Sequence, residues 1–137
     1  MGEGAAVSDA GDIMAALTTD IETAVSGVTV TLEAVDFDSL KAEDLPYCRL
    51  MQIDYSAEPV EYGQEQRTWT IAGVLAVEGG TREAMQLLLE GIRDQVFADT
   101  TLGGAVDRAS LAPGVVESHP EEVRVYGEFS VQAGAVA

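Results

Sequence analysis

The chain has 137 residues, a length typical of one domain, and 47% of them are hydrophobic, which excludes a wholly disordered protein. Twenty-four acidic residues against seven basic ones give a formal net charge of −17. Nucleic acids and anionic membranes are bound through clustered cations, so this composition argues against both as ligands. We therefore expect a single domain over residues 1–137, with residues 1–8 as a flexible N-terminal arm.

The first predicted element is an amphipathic helix over residues 8–25. Its apolar residues recur every three or four positions, as one helical face requires: Ile13, Ala16, Leu17, Ile21, Ala24 and Val25. We place Asp20 on the opposite, polar face, together with Thr18, Thr19 and Glu22. Gly27 is positioned to end the helix, and alternating apolar and polar residues predict a strand over residues 28–33.

An acidic segment, residues 36–44, separates this strand from the next. Pro46 marks the entry to a second strand, which we predict over residues 47–55 in the centre of a sheet, with Arg49, Met51, Ile53 and Tyr55 on one face. Residues 56–63 are polar and rich in turn-forming residues, so they predict a loop. The third strand covers residues 68–77, where the interior Gly73 indicates a bulge or a close backbone approach.

A second helix is predicted over residues 82–98, capped by Thr81. A strand over residues 105–111 follows, then a loop bounded by Pro-Gly and His-Pro pairs, and a last strand over residues 123–132. The resulting order is α-β-β-β-α-β-β. This order predicts an α+β fold, in which two helices pack on an antiparallel or mixed sheet of about five strands.

Groups that could carry out a reaction are scarce. The single histidine, His119, lies in a predicted turn with no nucleophile beside it, and Cys48 lies in an apolar stretch typical of a buried structural thiol. The acidic pairs within residues 36–38 and 121–122 lack the spacing of a calcium-binding loop. We therefore predict no catalytic, cofactor-binding or metal-binding residue, and a protein that works by binding other subunits.

Arginines and projecting loops are the features best suited to subunit contacts. A guanidinium pairs well with carboxylates across a subunit boundary, and loops on a rigid sheet commonly carry function. The alternative is ordinary surface pairing within one subunit, worth about 0–1 kcal/mol per pair. The predicted interface residues are Asp36, Asp38, Glu43, Asp44, Glu58, Glu61, Tyr62, Arg67, Arg108 and Arg124.

Three stretches carry a resemblance to a known family. They are residues 81–84, which open the second helix, residues 99–106, which lead into a strand, and the closing strand over residues 123–131. With the N-terminal helix and the strand through residues 50–53, they resemble the tail terminator, or tail completion, proteins of long-tailed bacteriophages and related gene transfer agents. The resemblance covers nearly the whole chain.

This resemblance implies a virion structural protein of the tail or neck, present in the host cytoplasm during assembly. Such proteins form a ring, usually a homohexamer, that caps the tail tube, stops its elongation and docks on the head connector. The implied partners are other copies of the chain, the tail tube protein and head–tail connector or neck proteins. No cofactor is implied, and DNA passes through the ring without specific binding. An acidic channel wall would repel that DNA.

Two alternatives stay open. One is another neck or tail protein of the same virion, such as a head-completion adaptor or a tube subunit. A tube subunit usually shows a long β-hairpin arm and polymerises alone, whereas a terminator forms closed rings. The other is a small cytoplasmic binding domain or enzyme unrelated to phages.

Overall fold

Two helices and five strands make up the structure, a computed structural model that describes residues 10–119 and 124–136. In chain order they are α1 (Ala10–Ala24), β1 (Thr29–Thr31), β2 (Tyr47–Pro59), β3 (Glu65–Glu78), α2 (Arg82–Ala98), β4 (Arg108–His119) and β5 (Arg124–Val136). The predicted α+β fold and element order are confirmed. The predicted N-terminal arm and the acidic pair at 121–122 lie outside the described residues.

The strands form one mixed sheet in the order β1-β2-β3-β5-β4. β1 runs parallel to β2 over three residue pairs, and all other neighbours are antiparallel. Because β2, β3, β5 and β4 alternate in direction, the two long outer strands β2 and β4 run antiparallel to each other.

The core lies between the two helices and one face of the sheet. Each helix presents one apolar stripe, and each strand presents every second side chain, as their periodicities require. The largest fully buried side chains come from both layers and from the turn after α2, which contributes Leu102: Ile13, Leu17, Ile21, Leu50, Ile71, Leu75, Met85, Leu89, Ile92, Val96, Leu102 and Val125. No helix in the described part of the chain is long and apolar enough to cross a membrane.

Gly73 marks a close approach, one of the two features predicted for it. It is paired with Phe129 on β5, and a Cβ built on Gly73 would lie 2.1 Å from the Phe129 ring. The ring therefore occupies the space of the missing side chain. An aromatic residue packed over a cross-strand glycine stabilises a sheet and helps to fix its register.

Several strand boundaries differ from the sequence prediction. β1 is only three residues long, whereas β2 continues to Pro59 and so includes residues that were predicted as loop. β4 continues through Pro113 to His119, with an irregularity in pairing between Pro113 and Val116, so His119 ends a strand rather than lying in a turn. Edge strands tolerate proline because one side of their backbone needs no hydrogen-bonded neighbour.

The placement of β2 also corrects two predictions. β1 flanks only residues 47–49, so most of β2 is an outer strand and not a central one. The pairing of β2 with β3 shifts between Gln52 and Asp54, which leaves Ile53 unpaired. Because an extra residue reverses the alternation of side chains, Tyr55 lies on the helix side, against Trp69 at a ring-centroid distance of 5.4 Å, while Met51 lies on the other face.

Candidate intersubunit surfaces

The ten predicted interface residues fall into two groups at opposite ends of the sheet. Asp36, Asp38, Glu43, Asp44 and Arg124 lie around the acidic segment, while Glu58, Glu61, Tyr62, Arg67 and Arg108 lie at the other end. Thirteen residues of β3, from Gln66 to Glu78, span the distance between the two ends in twelve steps. At about 3.4 Å per residue this is roughly 40 Å. The structure therefore supplies two separate candidate surfaces.

The acidic segment is a pair of short 3-10 turns, Phe37–Ser39 and Ala42–Asp44, held by local hydrogen bonds. The Asp36 carboxylate accepts a bond of 3.0 Å from the Asp38 amide, and the Asp44 carboxylate accepts one of 2.8 Å from the Lys41 amide. Such bonds from aspartate to nearby amides stabilise turns. Asp36, Asp38, Glu43 and Asp44 are all exposed, so their charges face solvent.

Two long-range contacts dock the acidic segment on the sheet. The Phe37 ring packs edge-on against Tyr47 and Tyr126, with centroid distances of 6.3 and 5.8 Å. The Arg124 guanidinium donates hydrogen bonds to the carbonyls of Phe37, at 2.7 Å, and Leu40. The structure thus uses Arg124, a predicted interface residue, to hold this segment from within the same chain.

A shallow depression of about 230 Å³ lies where the acidic segment meets the sheet. Aromatic, aliphatic and acidic side chains line it together: Phe37, Asp38, Val74, Glu117, Tyr126 and Glu128. Aromatic faces and carboxylates together suit the methylene stem and charged head of an arginine or lysine. This end of the molecule is therefore chemically suited to a basic partner surface.

At the opposite end, β2 and β3 project as a hairpin, which we call the arm (residues 51–65). Residues 51–64 are all exposed, although 51–59 belong to a strand that pairs with β3. The arm carries apolar side chains of substantial exposure: Met51, Ile53, Tyr55, Val60 and Tyr62. This feature was not predicted from the sequence, because the composition of residues 56–63 indicated a polar loop. Exposed apolar groups clustered on one projection mark an interaction surface.

Tyr62 is the most exposed large hydrophobic side chain of the arm, with 95% of its surface accessible. Its backbone adopts φ 62° and ψ 33°, a left-handed conformation that costs a non-glycine residue about 1–2 kcal/mol. Strained residues of this kind cluster at functional sites. Both properties support the prediction that Tyr62 makes an intermolecular contact. Behind it, Arg67 pairs with Glu65 at 3.3 Å within the chain.

The face of the sheet opposite the helices is lined by small polar side chains. We call it the open face and define it by Thr68, Thr70, Ser110, Ser130 and Gln132, which alternate with the core residues along β3, β4 and β5. Near the arm it forms a depression of about 520 Å³ bordered by Asp107 and Arg108. Arg108 is exposed here, at the start of β4.

One buried polar group was not predicted. Asp20, expected on the polar face of α1, is only 7% exposed and lies close to Asp99, which ends α2. Burial, together with hydrogen bonding to Asp99 and repulsion from its charge, raises the pKa of Asp20 to about 7. The spacing 13, 17, 20, 24 places Asp20 on the border of the apolar stripe, and this signal could have revealed its burial.

Reactive chemistry is sparse in the described structure. Cys48 is fully buried, as predicted, and burial raises the pKa of its thiol to about 12, so the nucleophilic thiolate is disfavoured. Among residues 10–119 and 124–136, no three Asp, Glu, His or Cys residues come together as a metal site. In comparisons with known proteins, the chain matches no family model and no curated protein.

Proposed function

We propose that this chain is a tail terminator protein, which assembles as a ring on the end of a tail tube, stops tube elongation and joins the tail to the head connector. The observation that carries the proposal is the arrangement of two unlike surfaces about 40 Å apart on one sheet. The apolar arm occupies one end and the acidic segment occupies the other. A protein that joins a tube to a connector needs two such surfaces.

Charge gives the proposal further support. The acidic segment and the depression beside it suit a basic partner, whereas a net charge of −17 disfavours contact with DNA. A ring of such subunits would let the genome pass without binding it. The proposal also agrees with the resemblance of residues 81–84, 99–106 and 123–131 to tail terminators.

The long hairpin formed by β2 and β3 favours a second candidate, a tail tube subunit. Its strands span 13 and 14 residues, and a long β-hairpin arm is the feature expected of tube subunits. The two candidates differ in self-assembly. A tube subunit polymerises alone into tubes of indefinite length, whereas a terminator forms closed rings that cap tubes made by another protein.

Electron microscopy of tails assembled with and without this protein tests the proposal. We expect overlong tubes in its absence, tubes of defined length when it is present, and no tubes from the purified protein alone. Tyr62→Ala should weaken capping, whereas Leu87→Ala, which removes a side chain 68% exposed on α2, serves as the matched control. Normal tube length without the protein would refute the terminator, and tubes formed by the protein alone would establish the tube subunit.

A further inference from the structure

The described part of the sheet has two edges where a strand has no neighbour on one side, one on β2 and one on β4. On the β2 side, residues 50–59 lie beyond the short β1 and have no strand beside them in the described structure. On the other side, β4 is the last strand of the sheet. A free edge presents unpaired N–H and C=O groups that can pair with another strand. A neighbour able to pair with either edge would therefore extend the sheet.

The outer edges of β2 and β4 match each other in strand direction and in position along the sheet. β2 and β4 are antiparallel, so a second copy placed beside the first in the same orientation sets its β2 antiparallel to the first copy's β4. Arg108 on β4 lies in line with Ser56 on β2 across the sheet, because Arg108 pairs with Gly134, Gly134 pairs with Thr68, and Thr68 pairs with Ser56. The regularly paired part of β4, residues 108–113, thus lies level with the free part of β2.

Charges on the open face match as well. In this arrangement Arg108 faces Ser56 of the next copy, and Asp54 and Glu58 lie on the same face two residues either side of it. Diagonal neighbours in a sheet are about 7–8 Å apart, within reach of an arginine side chain. Within the described residues, none of these three charged groups makes an ion pair. All three are exposed and able to meet a partner.

We infer that copies of this chain join head to tail, with the outer edge of β2 in one copy paired to the outer edge of β4 in the next and Arg108 set between Asp54 and Glu58. This inference rests on the proposed ring and names its interface. A heterologous contact of this kind closes into a ring when the rotation per copy allows it. The second copy is the favoured occupant because the two edges complement each other in polarity, height and charge.

Charge reversal tests the pairing. Arg108→Glu alone, and Asp54→Arg with Glu58→Arg, should each weaken self-association at least tenfold, because like charges then face each other across the edge. All three changes together restore opposite charges and should restore association. Arg82→Glu is the matched control, since it makes the same change on an exposed residue of α2. Sedimentation velocity measures association, and circular dichroism shows that each variant is folded.

Crosslinking identifies the edges directly. Ser56→Cys with Ser110→Cys places thiols on the two edges, about 14 Å apart across three strand spacings and about 7 Å apart along the strands. The resulting separation of roughly 16 Å within one copy is well beyond the span of a disulfide. Cys48 is fully buried and does not compete. A short bismaleimide should then link copies into a ladder on a denaturing gel. The same pair with Arg108→Glu should give no ladder.

The outcomes separate this inference from the proposed function. Assembled copies that give no ladder, or a triple variant that stays dissociated, would overturn the edge pairing while leaving a ring through another interface. A wild-type protein that does not associate at high concentration, with a Ser56→Cys, Ser110→Cys variant that gives no ladder there, would also overturn it, as would crosslinks of that variant to a tube subunit instead of between copies. Linked rings that fail to limit tail length would refute the terminator and retain the edge pairing.

Discussion

Replacing Asp20 by Asn should stabilise the protein at neutral pH, although Asp20 is buried and replacing a buried residue usually costs stability. The carboxyl is 7% exposed, one of its oxygens has no hydrogen-bond donor within the described residues, and it lies close to Asp99. At pH 8 Asp20 is largely deprotonated, and its buried charge is repelled by that of the nearby Asp99. Asparagine has the same shape, carries no charge and can donate a hydrogen bond to the Asp99 carboxylate.

The size and sign of the effect follow from the pKa of Asp20, which is raised from 3.8 to about 7. Because the folded-state pKa lies above the unfolded one, protonation favours folding. This contribution is fully present below about pH 4 and is lost as the pH rises through 7. A shift of about 3 units corresponds to at most ~4 kcal/mol. Asp99 is half-buried, so solvent screens part of the repulsion, and we expect about 1–3 kcal/mol.

Denaturant unfolding of both proteins at several pH values measures this difference. The variant should match the wild type near pH 4 and exceed it by about 1–3 kcal/mol at pH 8, which corresponds to a rise in Tm of roughly 3–10 °C. Glu22→Gln removes an exposed carboxylate from the same helix, and we expect it to change stability by less than about 0.5 kcal/mol. If Asp20→Asn and the wild type showed parallel stability curves between pH 4 and 8, the assigned pKa would be wrong.

Four further substitutions test individual contacts of the fold. Gly73→Ala should lower the free energy of unfolding by about 2–3 kcal/mol, because the new Cβ would overlap the Phe129 ring. Gly91→Ala is the control: it lies in α2 with open space around it, and it should raise the free energy of unfolding by about 0.5–1 kcal/mol. Equal effects of the two substitutions in denaturant unfolding would contradict this. Thr81→Ala removes the acceptor that caps α2 and should cost about 1 kcal/mol; an unchanged Tm would refute the cap. Arg124→Met should leave the fold intact but speed proteolysis within the acidic segment, and an unchanged cleavage rate would show that Arg124 does not hold it.

Helix α2 shows how much of the fold the sequence could predict. The predicted span, residues 82–98, is the observed one, and Thr81 accepts the predicted capping bond, from the Ala84 amide at 3.0 Å. Here three local signals agree: a capping residue, a stripe of apolar residues with helical spacing, and a glycine pair before the cap. The order of elements followed from the same kind of local periodicity, and it was confirmed throughout.

The arm could not be predicted in this way, because its strands are not held by burial. Residues 51–59 are exposed on both faces of the sheet, so the alternation of apolar and polar side chains that identifies a strand carries no information there. Their extended form comes from hydrogen bonds to β3, a long-range partner. The bulge at Ile53 could not be predicted either. It placed Tyr55 on the unexpected face, because a one-residue insertion reverses the facing of every later side chain.

The candidate surfaces were predicted only in part for a related reason. Sequence analysis identified exposed acidic and basic residues, but it could not say which of them lie together. Arg124 and Arg108 were treated alike, yet one bonds to carbonyls of its own chain and the other stands exposed at an outer strand. The difference depends on strand order, which places β5 inside the sheet and β4 at its edge.

Strand order and charge together explain how an acidic chain with open sheet edges could associate selectively. An exposed edge with apolar side chains pairs readily with other strands, and proteins limit this by charge, bulges and proline. β2 has all three: Asp54 and Glu58 beside the edge, an irregularity at Ile53 and Pro59 at its end. A net charge of −17 adds a general repulsion between copies. Association is then favoured only where a cation meets those carboxylates in register. Arg108 is the exposed arginine on the opposite edge that lies in line with Ser56, between Asp54 and Glu58.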